Sequence, residues 1–70
     1  MIIFVNGKRR ESAASTVSDL WLLEARELDV ESTKGFAIAR NGIVVRKDRW
    51  DDTKLADGDR VEIVRVMQGG

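Results

Sequence analysis

Met1-Ile2-Ile3-Phe4-Val5-Asn6-Gly7-Lys8-Arg9-Arg10-Glu11 opens the chain, and the order of residue types in this stretch decides the fold. Met1 to Val5 is a continuous apolar run rich in β-branched and aromatic side chains, which reads as a short strand. Asn6-Gly7 supplies the consecutive positive-φ positions of a tight hairpin turn. The return through Lys8-Arg9-Arg10-Glu11 is polar, so it belongs at a sheet edge, where charge blocks unwanted pairing.

Working outward, the other strongly apolar segment lies at the far end, Arg60-Val61-Glu62-Ile63-Val64-Arg65-Val66-Met67, launched by the turn Asp57-Gly58-Asp59. Small polar residues from Ser12 to Ser15 link the hairpin to Thr16-Val17-Ser18-Asp19, a hydroxyl cap with an acid placed to close a capping box. The helix it starts runs to about Leu28. Val17, Leu20, Trp21, Ala25 and Leu28 fall on one side at helical spacing and form its core face, interrupted by Glu24. Leu22 and Leu23 do not fit that face. One of them is expected to cap the end of the core, the competing role being a partner contact. Asp29 to Lys34 reads as a polar loop ended by Gly35. Phe36-Ala37-Ile38-Ala39-Arg40 stops at a second Asn-Gly, Asn41-Gly42, and returns as Ile43-Val44-Val45, a second hairpin. Trp50 is expected in a satellite of the core, because a small domain needs large side chains to close its edges. The acids between Asp48 and Asp59 lack the spacing of a calcium loop and read as a solvated, turn-rich face.

The order is therefore strand, strand, helix, strand, strand, strand. One helix and four or five strands are most economically arranged as one mixed sheet with the helix across one face. The first and last strands are the most apolar, so they belong side by side in the middle. That is an α+β, β-grasp (ubiquitin-like) domain, expected to fill residues 1–70 with a flexible tail at 68–70.

Composition narrows the function. Seventy residues are near the lower limit for a core without staples. The sequence has no cysteine and no histidine, which removes disulfides, thiol and histidine nucleophile pairs, and most zinc sites. Catalysis by this chain alone is not expected. Twelve basic residues balance twelve acidic ones, without the excess that phosphate-backbone binding requires. The apolar opening is too short for a signal-peptide core, and its positive charges follow it. A cytoplasmic protein without a membrane span or a nucleic-acid partner is expected.

The sequence ends Gln68-Gly69-Gly70. Glycine has the most entropy to lose on ordering and no side chain to anchor it, so paired glycines after an apolar strand read as a mobile leash. Such an end presents a carboxylate that can enter a channel too narrow for a Cβ.

The chain resembles the ThiS family of ubiquitin-like sulfur carriers. The resemblance rests on Phe4-Val5-Asn6-Gly7, Thr16-Val17-Ser18-Asp19-Leu20, Ala37-Ile38-Ala39-Arg40-Asn41-Gly42, Ile43-Val44-Val45-Arg46 with Trp50 beyond it, Leu55-Ala56-Asp57-Gly58-Asp59-Arg60-Val61-Glu62-Ile63, and Gly69-Gly70. It departs from the family at Val45, where a proline often stands, and in a somewhat longer stretch between helix and third strand. The resemblance implies a protein co-substrate and no enzyme. A ThiF-like adenylating enzyme would activate the Gly70 carboxylate, a sulfur donor protein would convert it to a thiocarboxylate, and a ThiG-like thiazole synthase would take the sulfur for the thiazole ring of thiamine. No cofactor is expected on this chain, since ATP and metal belong to the activating partner. Gly69 and Gln68 would thread the partner's channel. The alternatives are a MoaD-type carrier for molybdopterin synthesis and a ubiquitin-like interaction module that is never sulfur-loaded.

Counting strand faces locates a docking surface. If Ile3, Val5, Phe36, Ile38, Val61 and Ile63 face the helix, then Ile2, Phe4, Ala37, Ala39, Val64 and Val66 face the other way. One helix leaves nothing to cover them, and an uncovered apolar face that leads into Gly69-Gly70 reads as the partner-binding surface.

Overall fold

The computed structural model describes residues 1–30 and 32–66. Five strands and one main helix follow one another as β1 (Ile2–Val5), β2 (Lys8–Glu11), α1 (Val17–Leu28), β3 (Phe36–Arg40), β4 (Ile43–Val45) and β5 (Arg60–Arg65), with a 3-10 turn at Lys47–Arg49. The sheet runs β2-β1-β5-β3-β4. β1 and β5 lie parallel and side by side, and the other neighbours are antiparallel. This is the β-grasp arrangement that the order of elements implies. β5 occupies the centre, and the charged β2 takes one edge. No helix among the described residues is long and apolar enough to cross a membrane.

Both hairpins turn on their Asn-Gly pairs. Asn6 and Gly7 have φ of 50° and 82°, and Asn41 and Gly42 have 52° and 84°, the left-handed values that a two-residue hairpin twisted like its strands demands. Helix α1 starts where the hydroxyl of Thr16 accepts from the Asp19 amide and the Asp19 carboxylate accepts from the Thr16 amide, a complete capping box, worth about 1 kcal/mol. It ends at Asp29, whose left-handed backbone (φ 55°) turns the chain out of the helix.

The core lies between α1 and one face of the sheet. Ile3, Val5, Phe36, Ile38, Val61 and Ile63 meet Val17, Leu20, Trp21 and Ala25 there, with Ala14, Trp50 and Leu55 closing the edge. Trp50 takes the satellite position expected of it. Its ring centroid lies 5.7 Å from that of Trp21, and its indole N–H donates to the Val45 carbonyl at 2.9 Å. Among the described residues no buried side-chain polar atom lacks a partner.

Two expectations for the helix need correction, and Glu24 gains a partner. Leu28 has the right helical phase for the core but is 51% exposed. The left-handed turn at Asp29 lets the next residue, Val30, donate its amide to the Ala25 carbonyl and pack against the core instead. Glu24 interrupts the apolar face, as its place in the helix implies. It is buried and bonded to Arg10 of β2 at 2.8 Å. Arg10 stands opposite Ile3 in the hairpin register, hence on the helix side. Neither Leu22 nor Leu23 caps the core, for both are exposed on the solvent side of α1. The last strand also ends earlier than expected, at Arg65, and Met67 lies outside the described residues.

Candidate functional site: the open face of the sheet and the root of the tail

The two Asn-Gly turns do more than reverse the chain. Asn6 copies a strand residue with its side chain, accepting from the Ile63 amide at 2.8 Å and donating to the Ile63 carbonyl at 3.2 Å. At the other hairpin the Asn41 side chain accepts from the Arg60 amide at 2.9 Å and donates to Asp59 at 3.0 Å. β5 is thus held at its start by one asparagine and along its length by the other.

The start of β5 is fixed further by Asp59. Its buried carboxylate accepts from Arg40 Nε at 2.6 Å and from the Ala56 amide at 2.8 Å. Burial, the largest single influence, pushes the Asp59 carboxyl up, but Arg40, the Ala56 amide and Asn41 together outweigh it and hold it below the ordinary carboxylate range. Asp19 is also held low, by the Ser15 hydroxyl first and then the Ser15 amide, with smaller help from the Thr16 cap, against the opposing effect of burial.

With β5 so fixed, the register sets what lies on the uncovered face. Residues directly opposite in neighbouring strands share a face. Phe4 stands beside Arg60 and opposite Arg9, Ala37 opposite Val64, and Ala39 between Glu62 and Val44. The six residues expected here, Ile2, Phe4, Ala37, Ala39, Val64 and Val66, all occur at positions that alternate with the core residues. Ile2, Phe4, Ala37 and Ala39 are half-buried, while Val64 and Val66 are each 48% exposed. Face counting missed Val44, which is 68% exposed. The signal was present, because a two-residue Asn41-Gly42 turn forces Ala39 and Val44 to pair. It also passed over Arg9, Arg60 and Glu62, which set charges among the apolar side chains. Gln68, Gly69 and Gly70 lie outside the described residues.

Beyond β5 the chain makes one further sheet-like bond. The Val66 amide donates to the Gly35 carbonyl at 2.6 Å, and the left-handed backbone of Gly35 (φ 83°) brings that carbonyl alongside. The open face therefore continues along β5 to the residue that precedes 67–70. This arrangement carries no acid-base pair and no nucleophile. Among the described residues no group of three or more histidines, cysteines or acids could hold a metal ion. What the face offers is a row of half-buried and exposed apolar side chains that continues to Val66.

The model of the ThiS family matches residues 3–70. The chain belongs to the ThiS family. Among solved structures it is similar to the crystal structure of the thiamine biosynthesis protein (ThiS) from Geobacter metallireducens, with 30% identity, a TM-score of 0.77 and complete coverage of both chains. It is also similar to the solution structure of a thiamine biosynthesis protein from Geobacter metallireducens, with 33% identity and a TM-score of 0.70 over 100% of this chain and 88% of that one. No curated protein sequence matches it. The ThiS-family match spans the open face from Phe4 onward, the root at Val66 and the terminal glycines in one stretch.

Proposed function

We propose that this protein is a sulfur carrier for thiamine biosynthesis, a cytosolic co-substrate whose reacting group is the Gly70 carboxylate. The observation that carries this reading is the ThiS-family match, which runs without interruption to Gly70. A resting carboxylate is a poor electrophile, because displacing oxide from it is prohibitive. A ThiF-like adenylating enzyme joins it to the α-phosphate of ATP and releases pyrophosphate. The resulting acyl adenylate has AMP as a good leaving group. The outer sulfur of a donor protein's persulfide attacks the carbonyl and displaces AMP, and a thiol then cleaves the S–S bond of the resulting acyl disulfide, leaving a thiocarboxylate on Gly70 and a disulfide on the donor side. A ThiG-like thiazole synthase then takes the sulfur. ATP and its metal belong to the adenylating partner, and this chain returns to its carboxylate form.

Within that cycle Gly69 and Gln68 thread the partner's channel, where an added Cβ at position 69 would both widen the chain and restrict it. Docking uses the open face. Phe4, Ala37, Ala39, Val64 and Val66, with Ile2 at the margin, give up water on binding, and β5 aims the tail from that contact.

The test is intact mass after incubation with ATP, the adenylating enzyme and a sulfur donor. Loaded protein is expected to be heavier by the exchange of one oxygen for sulfur. Deletion of Gly70 is expected to abolish loading and leave the melting curve unchanged, since no core contact is lost. Normal loading of the deleted chain would refute the reading, and sulfur delivery to molybdopterin synthase rather than thiazole synthase would redirect it to the other pathway.

A further inference from the structure

We infer that Arg65 and Phe36 form a clamp that fixes where the tail begins, which makes Arg65 a positioning residue for loading Gly70. This rests on the carrier reading above. Phe36 and Arg65 stand directly opposite each other where β3 meets β5, and the Arg65 guanidinium carbon lies 5.5 Å from the centre of the Phe36 ring. A cation over an aromatic face at this distance is attracted by the ring quadrupole. The ring is a rigid platform: its centroid is 4.9 Å from that of Trp21, and Trp21 in turn packs on Trp50. The next residue makes a further backbone bond, from the Val66 amide to the Gly35 carbonyl. Gly35 immediately precedes Phe36, so both contacts tie the end of β5 to one short segment of chain.

The position of that tie matters because, on the carrier reading, only residues 67–70 lie between Val66 and the reacting carboxylate. Four residues separate Val66 from the end of the sequence, and at about 3.5 Å each they reach about 14 Å at most. If the tie slips and the strand opens back to Val64, the chain beyond the last tied residue grows from four residues to six. A longer leash lowers the effective concentration of the carboxylate at the partner's active site and adds conformations that must be given up on threading. Once the tail is in place the reacting atoms are the same. Losing the clamp therefore raises KM for adenylation and leaves kcat unchanged.

The experiment compares Arg65→Met, which keeps the length of the side chain and removes its charge, with Arg65→Lys, each in the native and the Phe36→Leu backgrounds. Amide exchange at Val66, referenced to the Ile63 amide of the same chain, reads the clamp without any partner. Pyrophosphate exchange with the adenylating enzyme reads KM and kcat. Arg65→Met is expected to speed Val66 exchange and to raise KM, each by about two- to fivefold, with kcat unchanged. Arg65→Lys restores most of both, and in the Phe36→Leu background Arg65→Met adds nothing further. Unchanged Val66 exchange in Arg65→Met would overturn the clamp. So would an equal rise in KM in both backgrounds, which would place Arg65 in direct contact with the partner. Should the native chain fail to be adenylated at all, the carrier reading falls, and the exchange measurement still decides the clamp.

Discussion

β1, β3 and β5 each present two faces built from alternate residues of the same few strands, and the two faces are used differently. Toward the helix stand Ile3, Val5, Ile38, Val61 and Ile63, all buried. On the other side stand Phe4, Ala37, Ala39, Val64 and Val66, half-buried or exposed and interrupted by Arg60 and Glu62. The chemical types overlap: valine and isoleucine occur on both faces. What differs is cover. Helix α1 supplies Val17, Leu20 and Trp21 to one face, and among the described residues there is no second α-helix to cover the other. Stability is therefore concentrated on one side of the sheet, and the other is the side that the proposed docking would use.

The sharpest way to break the comparison is to make the same kind of change on each face. Ile38 is fully buried at the centre of the core. Ile38→Ala is expected to cost about 3 kcal/mol through lost burial and the cavity left behind. A domain of this size holds only about 3–5 kcal/mol from its core, so the variant sits near its unfolding midpoint without denaturant. Urea titration followed by tryptophan fluorescence measures this. A loss below about 1 kcal/mol would mean that the core collapses around the gap.

How far these faces are legible in the sequence depends on whether the deciding contact is local. Alternation along β1, β3 and β5 is a property of each strand, and the Asn-Gly turns fix the register of both hairpins, so the core residues and the uncovered residues can both be read directly. Trp50 is readable for a different reason, its size. Other features are not legible in this way. Glu24 interrupts an apolar helical face, and only the hairpin register reveals that Arg10 is waiting on the same side. Leu28 and Val30 exchange roles because a left-handed residue, Asp29, ends the helix, and nothing in Asp29-Val30 alone distinguishes that turn from one more helical step. Val44 was readable and passed over, since its face follows from Ala39 across a two-residue turn.

Asp59 gives an intermediate effect, because it anchors the start of β5 and so serves both faces. Its carboxyl is held below the ordinary value in the folded state. Between the unfolded and folded values the unfolded chain binds more protons. Stability supplied by this group is thus complete above the ordinary carboxylate range and is lost as pH falls through the folded value. Asp59→Asn is expected to cost about 2 kcal/mol at neutral pH, since it replaces a charge-assisted bond to Arg40 and leaves the Ala56 amide a weaker acceptor. Its stability should also fall less steeply on acidification below about pH 4. Parallel acid titrations of the native chain and the variant check this. Identical slopes would show that other carboxylates, Asp19 among them, carry the acid limb.

Val64→Asp should produce the smallest effect on folding and the clearest separation of the faces. Val64 is 48% exposed and pairs across the sheet with Ala37, so the substitution leaves no cavity, and its charge can remain in water. The costs are weaker strand propensity and a second acid on the face that already carries Glu62, together below about 1 kcal/mol. Binding responds differently. A carboxylate at the centre of a surface that must lose water on docking carries a desolvation penalty that an apolar partner surface cannot repay. Affinity for the adenylating enzyme or thiazole synthase is expected to fall about tenfold or more, which corresponds to about 1.4 kcal/mol. Val64→Ala is the reference, removing the methyl groups without adding charge, and it should lie between the native chain and the aspartate variant. Calorimetric titration against the partner, set beside urea unfolding of the same samples, measures both quantities. If Val64→Asp unfolds the chain as readily as Ile38→Ala, the two faces are not the independent surfaces described above. If it folds and binds normally, docking takes place elsewhere, and the exposed Leu22 and Leu23 on the solvent side of α1 become the next surface to change.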